Sequence, residues 1–461
     1  MIIKRYACLL AAASAPFPTL SMNAILDMPV VGGVTATSAK IQVRSRSPGG
    51  EVEFQVCTDP TFLDLSTCIT GSMVTTTASS PNPGVDPVDC TAIATVTGLQ
   101  PSTIYHHRLI VDGKPRISGI ASSFMTFPNP TEHTSFAAVI TADAGNNIDG
   151  FWYKSALAEN PLFMMQIGDF PHRDPRSPDD ARKMNINLKC RSGSDCNGQQ
   201  GAEFALNCLS KMSFDHTWDD HDYCGQDSDG HCEYREEFIQ IYKDHWPTYD
   251  LPGEGVMQGS GIWHSFDVGK VKFIVLDLRS NRDSNDCGAG GSHPCHADGK
   301  TMLGPSQKAW LKDTVLSAKD SSDFIVIVSS INTNNLAREG SDDTWNTGFP
   351  AEAAELRAFF ESNTVTNVVF LTGDIHTGGA IDDGSNSQMG QPEMNVAHTG
   401  VPDGIGLSRL GTWSVGAWLQ KDVRSPNNEF PLGYSVVKYE LDAELGEFVL
   451  KLVCKGTDGV E

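Results

Sequence analysis

The pattern of apolar and polar positions changes near residue 130 and divides the chain into two regions. Residues from about 28 to 128 lack helical periodicity, and residues 37–44 alternate as a half-buried strand does. Beyond Pro128, short apolar runs that end in polar residues alternate with helical stretches such as 305–318 and 352–360. This alternation predicts an α/β domain with largely buried strands, closed by an antiparallel hairpin at 433–453.

The first region contains a turn, a strand and a hairpin signal between residues 98 and 113. A tyrosine stands near the start of the strand, in the pattern Leu99-x-Pro101-x-Thr103-x-Tyr105. This pattern resembles that of a fibronectin type III-like β-sandwich of about 100 residues. We therefore expect a small all-β sandwich over 25–128 and an α/β domain over 132–461.

The N-terminus has the order of residues found in secretory signal peptides. Lys4 and Arg5 precede a short apolar stretch at 7–13, and small residues follow. That stretch is too short to span a bilayer, and no other stretch reaches the roughly 18 apolar residues that a membrane helix needs. We expect a signal peptide over 1–22 and a secreted protein, extracellular or periplasmic, without a membrane span.

The composition restricts the classes of partner and the kind of covalent stabilisation. The chain has 57 acidic and 34 basic residues, a net charge of −23, which argues against nucleic-acid or anionic-membrane binding. Among its 12 cysteines, several lie close together in polar loops. In an exported chain we expect these to form disulfides, without the C-x-x-C spacing of a zinc site. The close pairs are Cys57 and Cys68, Cys190 and Cys196, Cys224 and Cys232, and Cys287 and Cys295.

Four segments carry Asp or Asp plus His, and three of them directly follow apolar runs, where ligands bind in an open α/β sheet. They contain Asp143 and Asn146, Asp169 and His172, Asp219-Asp220-His221, and Asp374 with His376. A single Gly-Asp after a strand is ordinarily a cap or a turn. Adjacent carboxylates such as Asp219 and Asp220, however, repel each other unless a cation satisfies them. Four such segments therefore predict a metal centre.

The candidate ligands divide into two sets with different chemistry: Asp143, Asp169, His172 and His376 form the first, and Asp169, Asp220 and Asp374 form the second. The mixed oxygen–imidazole set suits iron or zinc, and the oxygen set suits calcium, magnesium or manganese. A shared Asp169 would bridge two cations, the arrangement used for displacement at phosphorus by a metal-bound hydroxide. His221 would protonate the leaving oxygen, and Asn146 would contribute to substrate binding.

With these segments in order, the chain resembles the metallophosphoesterases, and more closely the alkaline phosphatase D (PhoD-like) family. The matching motifs are Ile167-Gly168-Asp169, Trp218-Asp219-Asp220-His221-Asp222, Leu276-Asp277-Leu278-Arg279, Leu303-Gly304 with Gln307 and Trp310-Leu311, and Gly373-Asp374-Ile375-His376. Residues 263–269 also resemble a strand of purple acid phosphatases. The resemblance implies an α/β (α+β) four-layer metallophosphoesterase sandwich, preceded here by the fibronectin type III-like sandwich.

The resemblance also implies a function and a set of cofactors. The family hydrolyses phosphate monoesters, and often diesters, outside the cytoplasm, with one iron and calcium ions in the site. By motif, Asp169 matches the bridging carboxylate, and Asp220, Asp374 and His376 match ligands. Arg279 lies in the family's Leu-Asp-x-Arg stretch, where it would help catalysis by binding phosphate; the alternative is a salt bridge to a neighbouring Asp.

The chain departs from the family pattern at three positions. Asp143 stands where the family has an iron-binding Cys, His172 where it has a Tyr, and Gly225 where it has an Asn. Gln226 and Asp227 are adjacent to Gly225 and could substitute. Losing a thiolate and a phenolate weakens the selectivity for ferric iron, so zinc or manganese is expected as an alternative beside calcium.

The sequence leaves three functions open. The favoured one is a secreted metal-dependent phosphatase acting on phosphate monoesters, and the nearest rival is a phosphodiesterase or a phospholipase D-like hydrolase. A different class is a non-catalytic calcium-binding adhesive protein, which the sandwich and the acidity would permit. An adhesive protein has no need of His172, His221 and His376 at strand ends, and this favours an enzyme.

Overall fold

The structure, a computed structural model, describes residues 29–45, 50–75, 77–78, 90–111, 113–116, 122–144, 152–170, 172–189, 204–254, 257, 259–338, 340–376, 379–400, 413–417 and 433–456. The expected signal peptide, Asn146 and the pair Cys190 and Cys196 lie outside the described residues. The chain forms two compact units. One contains the residues up to Pro128 with 182–215 and 240–249, and the other contains 129–181, 216–239 and 250–461. The units are thus discontinuous in sequence, and the contiguous domains 25–128 and 132–461 stay a prediction.

The N-terminal strands form two antiparallel sheets within the first unit. Their bounds are β1 Val30–Gly32, β2 Ser38–Ser45, β3 Glu51–Cys57, β4 Cys68–Thr70, β5 Val74–Thr75, β6 Thr77–Ala78, β7 Cys90–Thr97, β8 Ile104–Val111, β9 Lys114–Arg116 and β10 Ser122–Met125, with a 3₁₀ turn at Leu65–Thr67. One sheet has the order β1-β2-β7-β6, and the other has β10-β8-β3-β4, with β5 beside β3 and β9 beside β8. Strands β3 and β7 contact each other across the two sheets.

Alternation along the strands builds the core of this all-β region. Val52, Phe54 and Val56 of β3 are fully buried, while the residues between them are partly exposed. The hydroxyl of Tyr105 accepts a hydrogen bond from the backbone N–H of Gln100 at 2.9 Å, which fastens the start of β8 to the turn before it. The region is therefore a β-sandwich by its own packing, and its likeness to fibronectin type III stays a prediction.

The remaining described elements alternate strands and helices, as the sequence predicts. The strands are β11 Phe136–Thr141, β12 Phe163–Ile167, β13 Ser213–Thr217, β14 His264–Val268, β15 Val271–Val275, β16 Phe324–Ser329, β17 Val368–Thr372, β18 Ala380–Asp382, β19 Glu393–Asn395, β20 Gly416–Ala417, β21 Gly433–Asp442 and β22 Glu447–Gly456. The helices are α1 Trp152–Ala158, α2 Pro178–Lys189, a π-helical turn at Ala205–Leu209, α3 Asp220–Tyr223, α4 Arg235–His245, α5 Gly304–Ala318 and α6 Pro350–Ser362. None of the helices in the described ranges is long and apolar enough to cross a membrane.

These strands form two mixed sheets. One has the order β13-β12-β11-β21-β22, in which β11 and β12 are parallel and β21 and β22 form the expected antiparallel hairpin. The other has the order β14-β15-β16-β17-β19-β18-β20, in which β15, β16, β17 and β19 run parallel. Parallel strands end at the same edge of a sheet, so the polar segments that follow β11 and β12, and those that follow β16 and β17, are brought together.

The two mixed sheets pack face to face, and helices cover the outer face of the second sheet. Phe163 of β12 lies edge-on to Phe266 and Phe273 of the other sheet, with ring centroids 5.7 and 5.3 Å apart. On the far side of the second sheet, Leu311 of α5 and Phe360 of α6 join a fully buried apolar cluster. Each such side chain contributes about 1.5–3 kcal/mol by leaving water, so this packing holds the strand ends in place.

Three of the expected disulfides are present: Cys57–Cys68, Cys224–Cys232 and Cys287–Cys295. The first links β3 to β4. Each of the other two closes a short loop, with the paired cysteines eight positions apart in sequence. Disulfides persist in oxidising compartments, which agrees with the exported protein that the sequence predicts.

Candidate active site

Four of the predicted site residues have a positive φ angle, a backbone conformation that residues other than glycine rarely adopt. Asp143, Asp169, Asp374 and His376 have φ angles of 50°, 54°, 69° and 50°. Such conformations cost about 1–3 kcal/mol each and persist only where the surrounding structure enforces them, most often at functional sites. They occur here directly after β11, β12 and β17, which points to this edge of the sheets as the site.

Close backbone packing explains the glycine that precedes Asp169. Gly168 has a φ of 74°, and a Cβ atom there would lie 2.6 Å from Cβ of Asp219. Gly168 also donates its N–H to the carbonyl of Thr217 at 2.9 Å. The absence of a side chain therefore lets the segment after β12 approach the segment after β13, which brings Asp169 next to Asp220.

Asp169 lies at the centre of a group of buried carboxylates. It is 1% exposed, and Asp143, Asp219 and Asp220 are each at most 2% exposed. Burial, followed by the charges of Asp220, Asp219 and Asp143, raises the pKa of Asp169 well above its ordinary value. Several carboxylates buried against one another are unfavourable unless protons or cations neutralise them, so the group is suited to holding cations.

Unsatisfied ligand atoms lie within reach of one another at this point. Among the described residues, Oδ2 of Asp169 and Nδ1 of His172 are buried without a hydrogen-bond partner, although they are 3.3 Å apart. Burial, followed by the neighbouring His221 and His376, lowers the pKa of His172 to about 4. Its imidazole is therefore neutral at neutral pH and can offer a lone pair to a metal ion.

Three groups of ligand atoms each lie within 4.8 Å of one another, and the groups share members: Asp169, His172 and His376; Asp169, Asp220 and His221; and Asp220, Asp227 and Asp343. The first provides one oxygen and two imidazoles, which suits zinc or iron. The third provides only oxygens, which suits calcium, magnesium or manganese. Donor chemistry and unsatisfied atoms thus fit a centre with more than one cation.

Two other predicted ligands lie beside these groups. Oδ1 of Asp143 is 3.4 Å from Nε2 of His376, so Asp143 adjoins the first group. Asp374 forms a salt bridge with Nη1 of Arg338. Burial raises the pKa of Asp374 to about 7, although Arg338 opposes the rise. Within the described residues, neither Asp143 nor Asp374 joins one of the three groups.

The Trp-Asp-Asp-His-Asp motif combines structural and chemical residues. Asp219 and Asp222 form a capping box at the start of α3, and Asp222 also accepts the N–H of Phe170 at 3.2 Å. These bonds fix α3 to the segment after β12. They leave Asp220 and His221 next to Asp169, whose Oδ1 accepts a hydrogen bond from the backbone N–H of His221 at 3.3 Å.

His221 is oriented by a carboxylate that the sequence did not single out. Its Nδ1 lies 2.5 Å from Oδ1 of Asp174, whose own N–H donates to the carbonyl of His221 at 2.9 Å. The ring also stacks on His172, with centroids 3.5 Å apart. With Nδ1 bound to Asp174, Nε2 is the ring nitrogen that faces Asp220, at 4.0 Å from its Oδ1.

Arg279 forms the salt bridges that the sequence offered as an alternative to phosphate binding. The guanidinium is fully buried, donates from Nε to Asp219 at 2.7 Å and holds both oxygens of Asp343 at 3.0 Å. Arg282 also pairs with Asp343. Burial alone would raise the pKa of Asp343, but Arg279 and Arg282 hold it well below its usual range. A role of Arg279 in binding phosphate stays a prediction.

The remaining family motifs support this arrangement. Asp277 accepts a hydrogen bond from the indole N–H of Trp218 at 2.9 Å. The Gln307 side chain accepts from the backbone N–H of Asp277 at 2.8 Å and donates to its carbonyl at 2.7 Å. Ser330, directly after β16, donates to Asp219 at 2.7 Å. Asp174, Asp343 and Arg338 were missed because each lies in a loop several residues beyond the nearest strand, where nothing in the local pattern marks it.

Comparison with known proteins agrees with the fold and with a phosphatase-like chain. A model of the PhoD-like phosphatase family matches residues 203–400. Alkaline phosphatase D of Bacillus subtilis (strain 168) is 24% identical over 315 residues, which cover 61% of this chain and 52% of that protein. The match therefore spans about half the length of this curated relative.

Two solved structures share the fold. The structure of PhoD matches with a TM-score of 0.62 at 15% identity, over 97% of this chain and 92% of that one. A purple acid phosphatase from yellow lupin (Lupinus luteus) seeds matches with a TM-score of 0.52 at 12% identity, over 92% and 73%. Together with the mixed sheets described above, these matches define a metallophosphoesterase fold. The chain is similar to the PhoD-like phosphatases, which confirms the resemblance that its motifs predicted.

Proposed function

We propose that the protein is a secreted, metal-dependent phosphatase that hydrolyses phosphate monoesters. The observation that carries the proposal is the buried Asp169, whose unsatisfied oxygen lies among imidazole nitrogens of His172 and His376 within ion-binding distance. The relationship to alkaline phosphatase D supports the reaction class, and the three disulfides support an oxidising location.

The ligand sets support iron, zinc or manganese at Asp169, His172 and His376, and calcium at the oxygen-rich group around Asp220. When bound, such cations lower the pKa of water and neutralise charge on phosphoryl oxygens. Asp143, beside His376, and Asp374 would complete the ligand sets. Asn146 and Arg279 remain proposed substrate-binding residues on sequence grounds alone.

His221 would deliver the proton that the leaving oxygen needs. Asp174 binds Nδ1 and so fixes the ring with Nε2 toward Asp220, where it can hold the proton to be transferred. A carboxylate at this position also stabilises the positive imidazolium. Asp174 is therefore a positioning residue for His221.

The test is turnover of a chromogenic phosphate monoester and of the matching diester by purified protein, with and without a chelator. The proposal expects cleavage of the monoester, loss of activity on chelation, and recovery on adding iron, zinc or manganese with calcium. Faster cleavage of the diester would identify a phosphodiesterase instead. Cleavage of neither ester with any of these cations would refute the enzyme and leave the calcium-binding alternative.

A further inference from the structure

Three arginines converge on Asp343, and they differ in how far their side chains are exposed. Arg279 and Arg282 have fully buried side chains. Arg279 donates to Asp219, to Asp343 and to the carbonyl of Ser228, and so has no face turned to solvent. Both guanidinium groups neutralise buried carboxylates, which leaves them poorly placed to meet an entering anion.

Arg338 differs from both. Its side chain is 13% exposed, and Nη1 contacts Asp374 and lies 3.9 Å from Oδ2 of Asp343. Within the part of the chain that the structure describes, Nη1 is the one nitrogen of Arg338 that bonds a protein group. The Nε and Nη2 edge therefore keeps its N–H donors for another acceptor.

Arg338 lies at the edge of the candidate metal centre. It follows β16, and its partner Asp374 follows β17, at the shared end of two parallel strands. The guanidinium borders the acidic group, since Nη1 contacts Asp374 and lies 3.9 Å from Asp343. The charge of Asp374 in particular raises the pKa of Arg338. A planar guanidinium with a free edge binds two oxygens of a phosphoryl group at once.

We propose that Arg338, through its Nε and Nη2 edge, binds the phosphoryl oxygens of the substrate and of the inorganic phosphate product. This inference rests on the proposed phosphoesterase function and names a residue for it that the family motifs do not contain. It explains how a chain of net charge −23 attracts a phosphate dianion while Arg279 and Arg282 remain committed to Asp343. Asp374 would orient the guanidinium by holding Nη1.

Binding of inorganic phosphate to metal-loaded protein, followed by isothermal titration calorimetry, tests the proposal without requiring turnover. Arg338→Gln should raise the dissociation constant for phosphate by about 10- to 100-fold, since it removes charge-assisted hydrogen bonds. Arg338→Lys keeps the charge without the planar fork and should give an intermediate loss. The matched control is Arg357→Gln on α6, whose partner is the exposed Glu361, and it should bind phosphate as the parent does.

Monoester kinetics and metal content complete the experiment. KM should rise in parallel with the dissociation constant in Arg338→Gln, while metal content per chain stays that of the parent. Parent-like phosphate binding and KM in Arg338→Gln would overturn the inference. A loss of phosphate affinity that comes with loss of metal and is fully restored by Arg338→Lys would also overturn it, because Arg338 would then only neutralise Asp374. If the parent binds phosphate through Arg338 but cleaves no ester, the proposed function fails while this inference stands.

Discussion

Removing Arg279 should destabilise the protein more than removing any other described arginine around Asp343. Arg279→Ala deletes a fully buried guanidinium, which leaves Asp219 buried without its arginine and Asp343 with Arg282 and the more distant Arg338. Breaking a buried ion pair by deleting one member costs about 3–5 kcal/mol, because the remaining charge stays uncompensated. Asp219 loses its arginine here while Asp343 keeps Arg282, so we expect a cost within that range. Arg338→Ala removes a partly exposed guanidinium from one main partner, Asp374, and should cost less than half as much.

The assay is urea unfolding followed by tryptophan fluorescence, with the urea midpoint compared between Arg279→Ala, Arg338→Ala and the parent. The midpoint is the quantity to compare, because a chain of two units need not unfold in one step. A large shift for Arg279→Ala and a small one for Arg338→Ala would support the structural role of Arg279. An unchanged midpoint together with weakened phosphate binding would refute it and favour the phosphate-binding role expected from the sequence.

Two further perturbations address the proton donor and a buried acid. Asp174→Asn should slow turnover of alkyl phosphates by roughly 10- to 100-fold and leave dinitrophenyl phosphate nearly unaffected, because only the poor leaving group needs the proton from His221; equal slowing of both would contradict the positioning role. Burial raises the pKa of Glu393 to about 6 although Thr333 and Thr372 donate to it. Its folded pKa exceeds the ordinary 4.5, so the contribution of Glu393 to stability is fully present below pH 4.5 and is lost as pH rises through 6, by about 2 kcal/mol. Glu393→Gln should remove that fall in urea midpoints measured between pH 4.5 and 7, and an identical pH profile would show that Glu393 is not its source.

The strand ends could be predicted because hydrophobic runs and the residues after them are local features. Phe163–Ile167 is a strand within the predicted limits, and Asp169 follows it into the site. The same reasoning placed His172, His376 and Asp220 near one another, since parallel strands share an edge.

Contacts between distant loops could not be predicted. Asp343 lies 64 residues from Arg279 in sequence, and Asp174 lies 47 residues from His221, so neither pairing leaves a periodic or motif signal. The grouping of 182–215 and 240–249 with the N-terminal strands likewise depends on tertiary packing. The sequence could not decide between phosphate binding and a salt bridge for Arg279, because its partners come from distant positions, at Asp219, Ser228 and Asp343.

The proposed function requires cations held around Asp169 for phosphate ester hydrolysis. The most direct test is to measure metal content per chain and monoester turnover together, for the parent and for Asp169→Asn, before chelation, after chelation and after adding metals back. We predict that the parent loses and regains metal and turnover in parallel, and that Asp169→Asn has neither at any stage. Full turnover by the metal-free parent, or parent-like turnover by Asp169→Asn, would contradict it.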